Sequence, residues 1–271
     1  MILVTGATGN IGAELVGILE RSGEPVRALV RNADGVPHGV TGDLNKPATL
    51  RPALEGVHGL FLLPGYQDMP RVLAEAKSAG VDRVVQLSGS SAPGGDMGNA
   101  VTRYMIESER AARSSGLAWT ILQPSAFMTN ALRWLPQLRE GDTVRAQFPH
   151  AAAAVIDPYD IASVAALALT SEGHDQATYR LTGPDPLLPE DQVRVLGDVL
   201  GRDLEFVGLS DAETRAELEA TMPPRYVDAF WSFYVDGTLD ESLLTPTVAE
   251  LTGRPPHTFE QWAITHADAF R

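Results

Sequence analysis

An apolar run, Ile2 to Val4, leads directly into three glycines spaced three apart, Gly6, Gly9 and Gly12. A helical pattern follows at once, with Ile11, Leu15, Ile18 and Leu19 on one face. Few folds accommodate a strand, a glycine-rich turn and a helix start packed this closely. Gly6 permits a sharp turn, Gly9 leaves bare backbone open to a ligand, and Gly12 lets the helix lie close to the strand. The first N–H groups of such a helix are unpaired and sit at its positive end, so the turn is suited to a dinucleotide pyrophosphate. The spacing is G-x-x-G-x-x-G rather than G-x-G-x-x-G, and a phosphate-free turn of an α/β protein remains the competing reading.

The pattern continues as alternation. Strands are predicted at Ile2–Thr5, Val26–Arg31, near Val40, Gly59–Leu63, Arg83–Ser88 and Ala118–Leu122. Helices are predicted between them, at Ile11–Ser22, Pro47–Glu55, Pro70–Ala79 and Tyr104–Ser115. Such alternation specifies βαβ units, and the nearly continuous apolar strands specify a parallel sheet covered on both faces. The expected fold is therefore α/β, a Rossmann-type doubly wound sheet.

The second half reads differently. Phe127–Arg139 is predicted helical, and so is Asp157–Leu169 with Asp157 as its N-cap. A last strand is predicted at Tyr179–Thr182. From Pro184 onward helices dominate, at Pro189–Leu200, Asp211–Thr221, Arg225–Tyr234, Thr247–Leu251 and Phe259–Phe270. The expected organisation is a cofactor core over residues 1–183, including part of the cleft from about 125–150, and a smaller, mainly helical lobe over 184–271 packed on it. The ligand site is expected in the cleft between them.

Composition excludes several classes. With no cysteine in 271 residues there are no disulfides, catalytic thiolates or cysteine zinc sites. Six scattered histidines offer no metal-ligand spacing. A net charge of −14 opposes binding to nucleic acid through phosphates. No apolar run approaches a membrane span, and no basic leader precedes the first strand, so the expectation is a cytoplasmic protein without membrane or nucleic-acid partners.

Ordered segments along the chain carry a resemblance. These are Val26–Arg31 (VRALVR), Thr41–Leu44 (TGDL), Ala76–Ser88 (AKSAGVDRVVQLS), Gly116–Pro124 (GLAWTILQP), Phe127–Asn130 (FMTN), Asp157–Ala162 (DPYDIA), Thr178–Pro184 (TYRLTGP) and Leu251–Pro255 (LTGRP). With the glycine turn, they resemble the NmrA-like group of atypical short-chain dehydrogenases/reductases over nearly the whole length. That resemblance implies an NAD(P)-binding core and a C-terminal substrate lobe. The group includes quinone reductases, triphenylmethane-dye reductases and dinucleotide-binding redox sensors.

Cofactor contacts are expected from Gly6, Thr8, Gly9, Asn10, Ile11 and Gly12 at the pyrophosphate. An NAD site usually places an acidic residue at the end of the second strand. Arg31 stands there instead and suits a 2′-phosphate, so NADP is expected over NAD. An ordinary solvated arginine is the alternative. Asp43, with Leu44 after it, resembles the family residue that bonds the adenine amino group, and a helix-capping loop aspartate fits its spacing equally. Leu63, Pro64, Ser88, Pro124 and Phe127, at or beyond strand ends, are expected beside the nicotinamide.

The catalytic signal is thinner. Most short-chain dehydrogenases use Tyr-x-x-x-Lys, where lysine lowers the tyrosine pKa. The only lysines are Lys46 and Lys77, and neither follows a tyrosine by four. Tyr104 lies in the right region, but Ser108 occupies the lysine position. Many NmrA-like relatives place a histidine where Met105 stands, and often read Leu-Arg-Pro where this chain has Leu122-Gln123-Pro124. Tyr104 and Ser88 remain the candidates for polarising a carbonyl. Substrate contacts are expected from Tyr66, Tyr104, Phe127, Met128, Asn130, Trp134, Phe230, Trp231 and Tyr234, which implies an apolar or aromatic small molecule; lobe core is the competing role for the last aromatics.

The functional expectation is an NADPH-dependent oxidoreductase reducing a quinone-like, aromatic or conjugated carbonyl compound. A non-catalytic dinucleotide-sensing regulator acting through protein partners is one alternative, and an isomerase or cyclase of secondary metabolism is another.

Overall fold

The computed structural model describes residues 1–270. Its first half contains β1 (Ile2–Thr5), α1 (Asn10–Arg21), β2 (Val26–Val30), β3 (Gly39–Thr41), α2 (Arg51–Leu54), β4 (Gly59–Leu62), α3 (Met69–Ser78), β5 (Arg83–Leu87), α4 (Ala100–Ser114) and β6 (Ala118–Pro124). After α5 (Leu135–Glu140), β7 (Thr143–Ala146) and α6 (Pro158–Thr170) comes β8 (Ala177–Leu181). The main sheet has the order β3-β2-β1-β4-β5-β6-β8, and every neighbouring pair is parallel.

Strand alternation divides the core between the two faces of this sheet. Ile2, Val4, Val85 and Leu87 pack with α1 and α6, while Leu3, Leu60 and Val84 pack with α2 and α3. Chain order reverses between β1 and β4, and ligands of open α/β sheets bind in the crevice at such a switch, beyond the strand C-termini.

The remaining elements are α7 (Pro189–Leu200), β9 (Glu205–Gly208), α8 (Asp211–Thr221), α9 (Pro224–Tyr234), α10 (Thr247–Thr252) and α11 (Phe259–His266). β7 and β9 form a small parallel ladder that joins Thr143 to Glu205. Neither strand was predicted from the sequence. A third core unites Met128, Trp134 and Val144 with Val193, Leu196, Phe259 and Trp262. Residues on both sides of the 183/184 division therefore share one interior, and Val248 of α10 returns to the core of the main sheet. Two polar contacts fasten this return: Arg254 pairs with the fully buried Asp160 at 2.6 Å, and His257 Nδ1 lies 2.8 Å from Asp157 Oδ2.

Helix caps follow the sequence. Asp157 accepts from the Tyr159 N–H at 2.9 Å, as expected of an N-cap. The helix predicted from Tyr104 begins earlier, at Ala100, because Asn99 accepts from the N–H groups of Val101 and Thr102.

Candidate functional site

The glycine turn has the geometry that its spacing implies. Gly6 has φ +62°, in the left-handed region, and a Cβ there would also meet Leu63 Cδ1 at 2.5 Å. A Cβ on Gly12 would lie 2.1 Å from the Gly6 carbonyl oxygen, so α1 could not approach the turn. Gly9 caps α1 without any side-chain hydrogen bond, which leaves the first-turn N–H groups for a ligand. Thr8, Gly9 and Asn10 are exposed, whereas Ile11 turns into the core and offers only backbone. Asn10 Nδ2 donates to Thr129 Oγ1 at 3.0 Å, which ties the turn to the segment after β6.

Beyond β2, a cleft of about 330 Å³ is walled by Gly6, Thr8, Arg31, Asp43, Leu44 and Tyr66. Arg31 is exposed and makes no hydrogen bond or ion pair among the described residues. Asp43 serves its own loop in part: Oδ1 accepts from the Asn45 N–H at 2.9 Å, and its N–H donates to Thr49 Oγ1 at 3.0 Å. Tyr66, expected to contact substrate, lines this cleft and also the groove that holds Tyr104. Burial raises its phenol pKa, and Arg31 opposes that rise.

At the C-terminal ends of β4, β5 and β6, the structure brings Leu63, Pro64, Ser88, Pro124 and Phe127 to the expected edge. Leu63 N–H donates to Thr5 Oγ1 at 3.0 Å, and the Pro124 carbonyl accepts from the Ser90 N–H at 2.9 Å. Phe127 bridges to Ile156 and packs on the core. The Ser88 hydroxyl donates to Glu109 Oε1 at 2.6 Å. Gln123 Nε2 donates to the same oxygen, and Arg113 pairs with Oε2. The hydroxyl proton of Ser88 is thus committed to a buried carboxylate.

Tyr104 is placed differently from the expectation. Its ring lies against Gly65, where an added Cβ would approach Cδ2 to 3.2 Å. It lines a groove of about 750 Å³ between α3 and α4, not the lobe cavity. Ser108, in the lysine position, accepts from Gly65 N–H and donates to the Tyr104 carbonyl. Burial, with Tyr226 adding to it, raises the Tyr104 phenol pKa above its ordinary value.

The lobe cavity, of about 270 Å³, opens from Ala126 and includes Asn130, Arg133, Phe148, Phe230 and Tyr234. Its wall is set by a 3₁₀ helix, Met128–Trp134, where an α-helix was expected. Side chains three apart eclipse in that geometry. Met128, Ala131 and Trp134 therefore share one face and are buried in the third core. Asn130 and Arg133 share another and line the cavity. Met128 and Trp134 were expected to touch substrate, but their burial at 0% and 4% exposure assigns them to packing. Trp231 also turns away, with Arg215 stacked 5.2 Å over its ring.

Four residues of the site carried no recognised sequence signal: Ser90, Arg133, Phe148 and Glu241. Phe148 has φ +52°, a sparsely populated conformation for a bulky side chain, and its ring centroid lies 4.9 Å from that of Tyr234. Tyr234 OH donates to Glu241 Oε2 at 2.8 Å, and Ser90 Oγ donates to Oε1 at 2.6 Å. Burial first, then the Glu241 charge and hydrogen bond, hold the Tyr234 phenol pKa well above its ordinary value.

Among the described residues no group of three or more His, Asp or Glu forms a metal site, and no helix is long and apolar enough to cross a membrane.

Residues 6–172 match a family described as NAD(P)H-binding. The chain is 40% identical to the (4-alkanoyl-5-oxo-2,5-dihydrofuran-3-yl)methyl phosphate reductase of Streptomyces griseus, covering 100% of this chain and 99% of that one. It is 35% identical to an NAD(P)H azoreductase of Xenophilus azovorans, covering 100% and 99%. The crystal structure of an NADPH-dependent quinone oxidoreductase from Escherichia coli superposes with a TM-score of 0.78 at 25% identity, covering 99% of this chain and 100% of that one. The chain belongs to the NAD(P)H-binding, NmrA-like family of atypical short-chain dehydrogenases/reductases.

Proposed function

We propose that the protein is an NADPH-dependent reductase that delivers hydride to an electron-poor conjugated carbonyl, quinone-like or aromatic small molecule. The observation that carries this reading is the open cavity at Ala126, which the side chains of Met128 and Trp134 leave clear and which Phe148, Phe230 and Tyr234 line. Reductases are named among the relatives, and the acceptors in those names are conjugated or unsaturated.

Bound nicotinamide would supply the hydride. The chain's own contribution is largely orientation. Gly6, Gly9 and Gly12 bring bare backbone to the pyrophosphate, and Arg31, without a hydrogen bond or ion pair among the described residues, suits a 2′-phosphate and so favours NADP over NAD. Aromatic walls hold a planar acceptor at the ends of β5 and β6, and such positioning removes much of a hydride-transfer barrier. Ser88 is engaged by Glu109, and Tyr104 lies outside the cavity. Protonation of the reduced product is therefore assigned to solvent reaching the open cavity.

The test is NADPH oxidation with a panel of quinones, azo dyes and α,β-unsaturated lactones. Turnover of at least one class is expected. Tight NADPH binding with no turnover of any class would overturn the reductase reading and favour a dinucleotide-sensing regulator.

A further inference from the structure

Arg133 is the cation lining the lobe cavity, and among the described residues it has no ion pair. Its Nε donates to the Asn130 carbonyl at 2.8 Å, which anchors the root of the guanidinium. The terminal nitrogens make no hydrogen bond or ion pair among the described residues. Burial pushes this guanidinium below its ordinary pKa, with Tyr234 alone opposing it. Most exposed arginines are simply solvated, but this one faces a cavity otherwise rich in Phe148, Phe230, Leu218 and Met222. Arg133 is exposed, so its terminal nitrogens stay charged and open to a ligand entering the cavity as well as to solvent.

The cavity's acid does not supply that partner. Both oxygens of Glu241 are engaged, by Ser90 and Tyr234, and no ion pair joins it to Arg133 among the described residues. Further polar capacity points the same way. Asn130 and Gln192 line the same cavity, and their side-chain amides make no hydrogen bond among the described residues. An arginine fork with amide groups beside it matches a tetrahedral or planar anion.

We propose that Arg133 holds an anionic oxygen substituent of the substrate, a phosphate monoester foremost, so that the acceptor is an amphiphile with an anionic end and an apolar arm. This rests on the reductase reading and specifies its substrate class. Arg133 touches the substituent and not the reacting carbon, so it governs which acceptor is chosen.

A matched pair of acceptors tests it: an (4-alkanoyl-5-oxo-2,5-dihydrofuran-3-yl)methyl phosphate and the corresponding alcohol. The native protein should show kcat/KM for the phosphate about 10- to 100-fold above that for the alcohol, the range of one charge-assisted contact. In Arg133→Met that ratio should fall to near unity, mainly through KM. Arg133→Lys should retain part of it, since the charge remains and the fork is lost. Arg215→Met, which removes an arginine outside the cavity, should leave the ratio unchanged. A native ratio near unity, or one that persists in Arg133→Met, overturns the proposal. If neither acceptor is reduced, calorimetric titration of the phosphate ester into the NADPH-loaded protein decides it separately: binding lost in Arg133→Met supports the subsite even as the reductase reading fails, and unchanged binding overturns it.

Discussion

Ser88 Oγ and Glu109 Oε1 lie 2.6 Å apart, with the serine donating. Glu109 is 8% exposed and also accepts from Gln123, while Arg113 balances its charge. The carboxylate organises the ends of β5 and β6 from below. Ser88→Ala should cost about 1 kcal/mol of stability, the ordinary value of one hydrogen bond, and lower turnover less than about tenfold. Glu109→Ala, which strands three donors, should cost about 3 kcal/mol or more. Urea denaturation measures both. A larger stability loss in Ser88→Ala than in Glu109→Ala would contradict this arrangement.

Tyr104 carries a separate expectation about pH. Its pKa is raised by burial and no lysine lowers it, so it stays protonated from about pH 6 to about pH 9. Its ionisation therefore contributes no limb to the rate profile in that range. Tyr104→Phe should change kcat/KM by less than about threefold, against the hundredfold or more typical of a lost general acid. Disappearance of a pH limb in the variant would restore Tyr104 as a proton donor.

On the proposed reading, Arg31 sets the choice between the two dinucleotides. Arg31→Ala should raise the Kd for NADPH about 10- to 100-fold, as expected for a charge-assisted phosphate contact. The Kd for NADH should change by no more than about twofold, because no 2′-phosphate is present. Fluorescence titration of both nucleotides gives the comparison, and equal weakening would remove the 2′-phosphate assignment.

The lobe has its own acid sensitivity. Hydrogen bonds from the Ser210 hydroxyl and N–H, then from Arg145, hold Glu213 at about 2 instead of 4.5. A depressed carboxylate pKa contributes stability above the unfolded value, and that contribution is lost as pH falls from about 4.5 towards about 2. Ser210→Ala removes the hydroxyl donor and half of the capping box. The difference in urea midpoint between about pH 7 and about pH 3 should therefore be smaller in the variant than in the native protein. An unchanged difference would place the acid sensitivity elsewhere.

What was legible in the sequence follows from the range of the forces involved. The glycine turn, the parallel strands and the Asp157 cap are local or strongly periodic, and they stand where expected. β7 and β9 were not legible, since each has four residues and its pairing partner lies far along the chain. The cavity wall was misread for a narrower reason. At α-helical spacing Asn130 and Trp134 share a face, but at 3₁₀ spacing Trp134 joins Met128 and Arg133 joins Asn130. Tyr66, which follows β4, meets Arg31 and Asp43, which follow β2 and β3, a neighbourhood set by sheet order rather than by sequence separation.

The 3₁₀ segment has a consequence for how acceptor choice changes over evolutionary time. Met128, Ala131 and Trp134 belong to the interior, while Asn130 and Arg133 face the cavity. Packing and selectivity thus fall on interleaved but separate positions of one seven-residue stretch. Substitutions at the second set leave the first intact, so the charge of the cavity wall can change in a single step without loosening the interior beneath it.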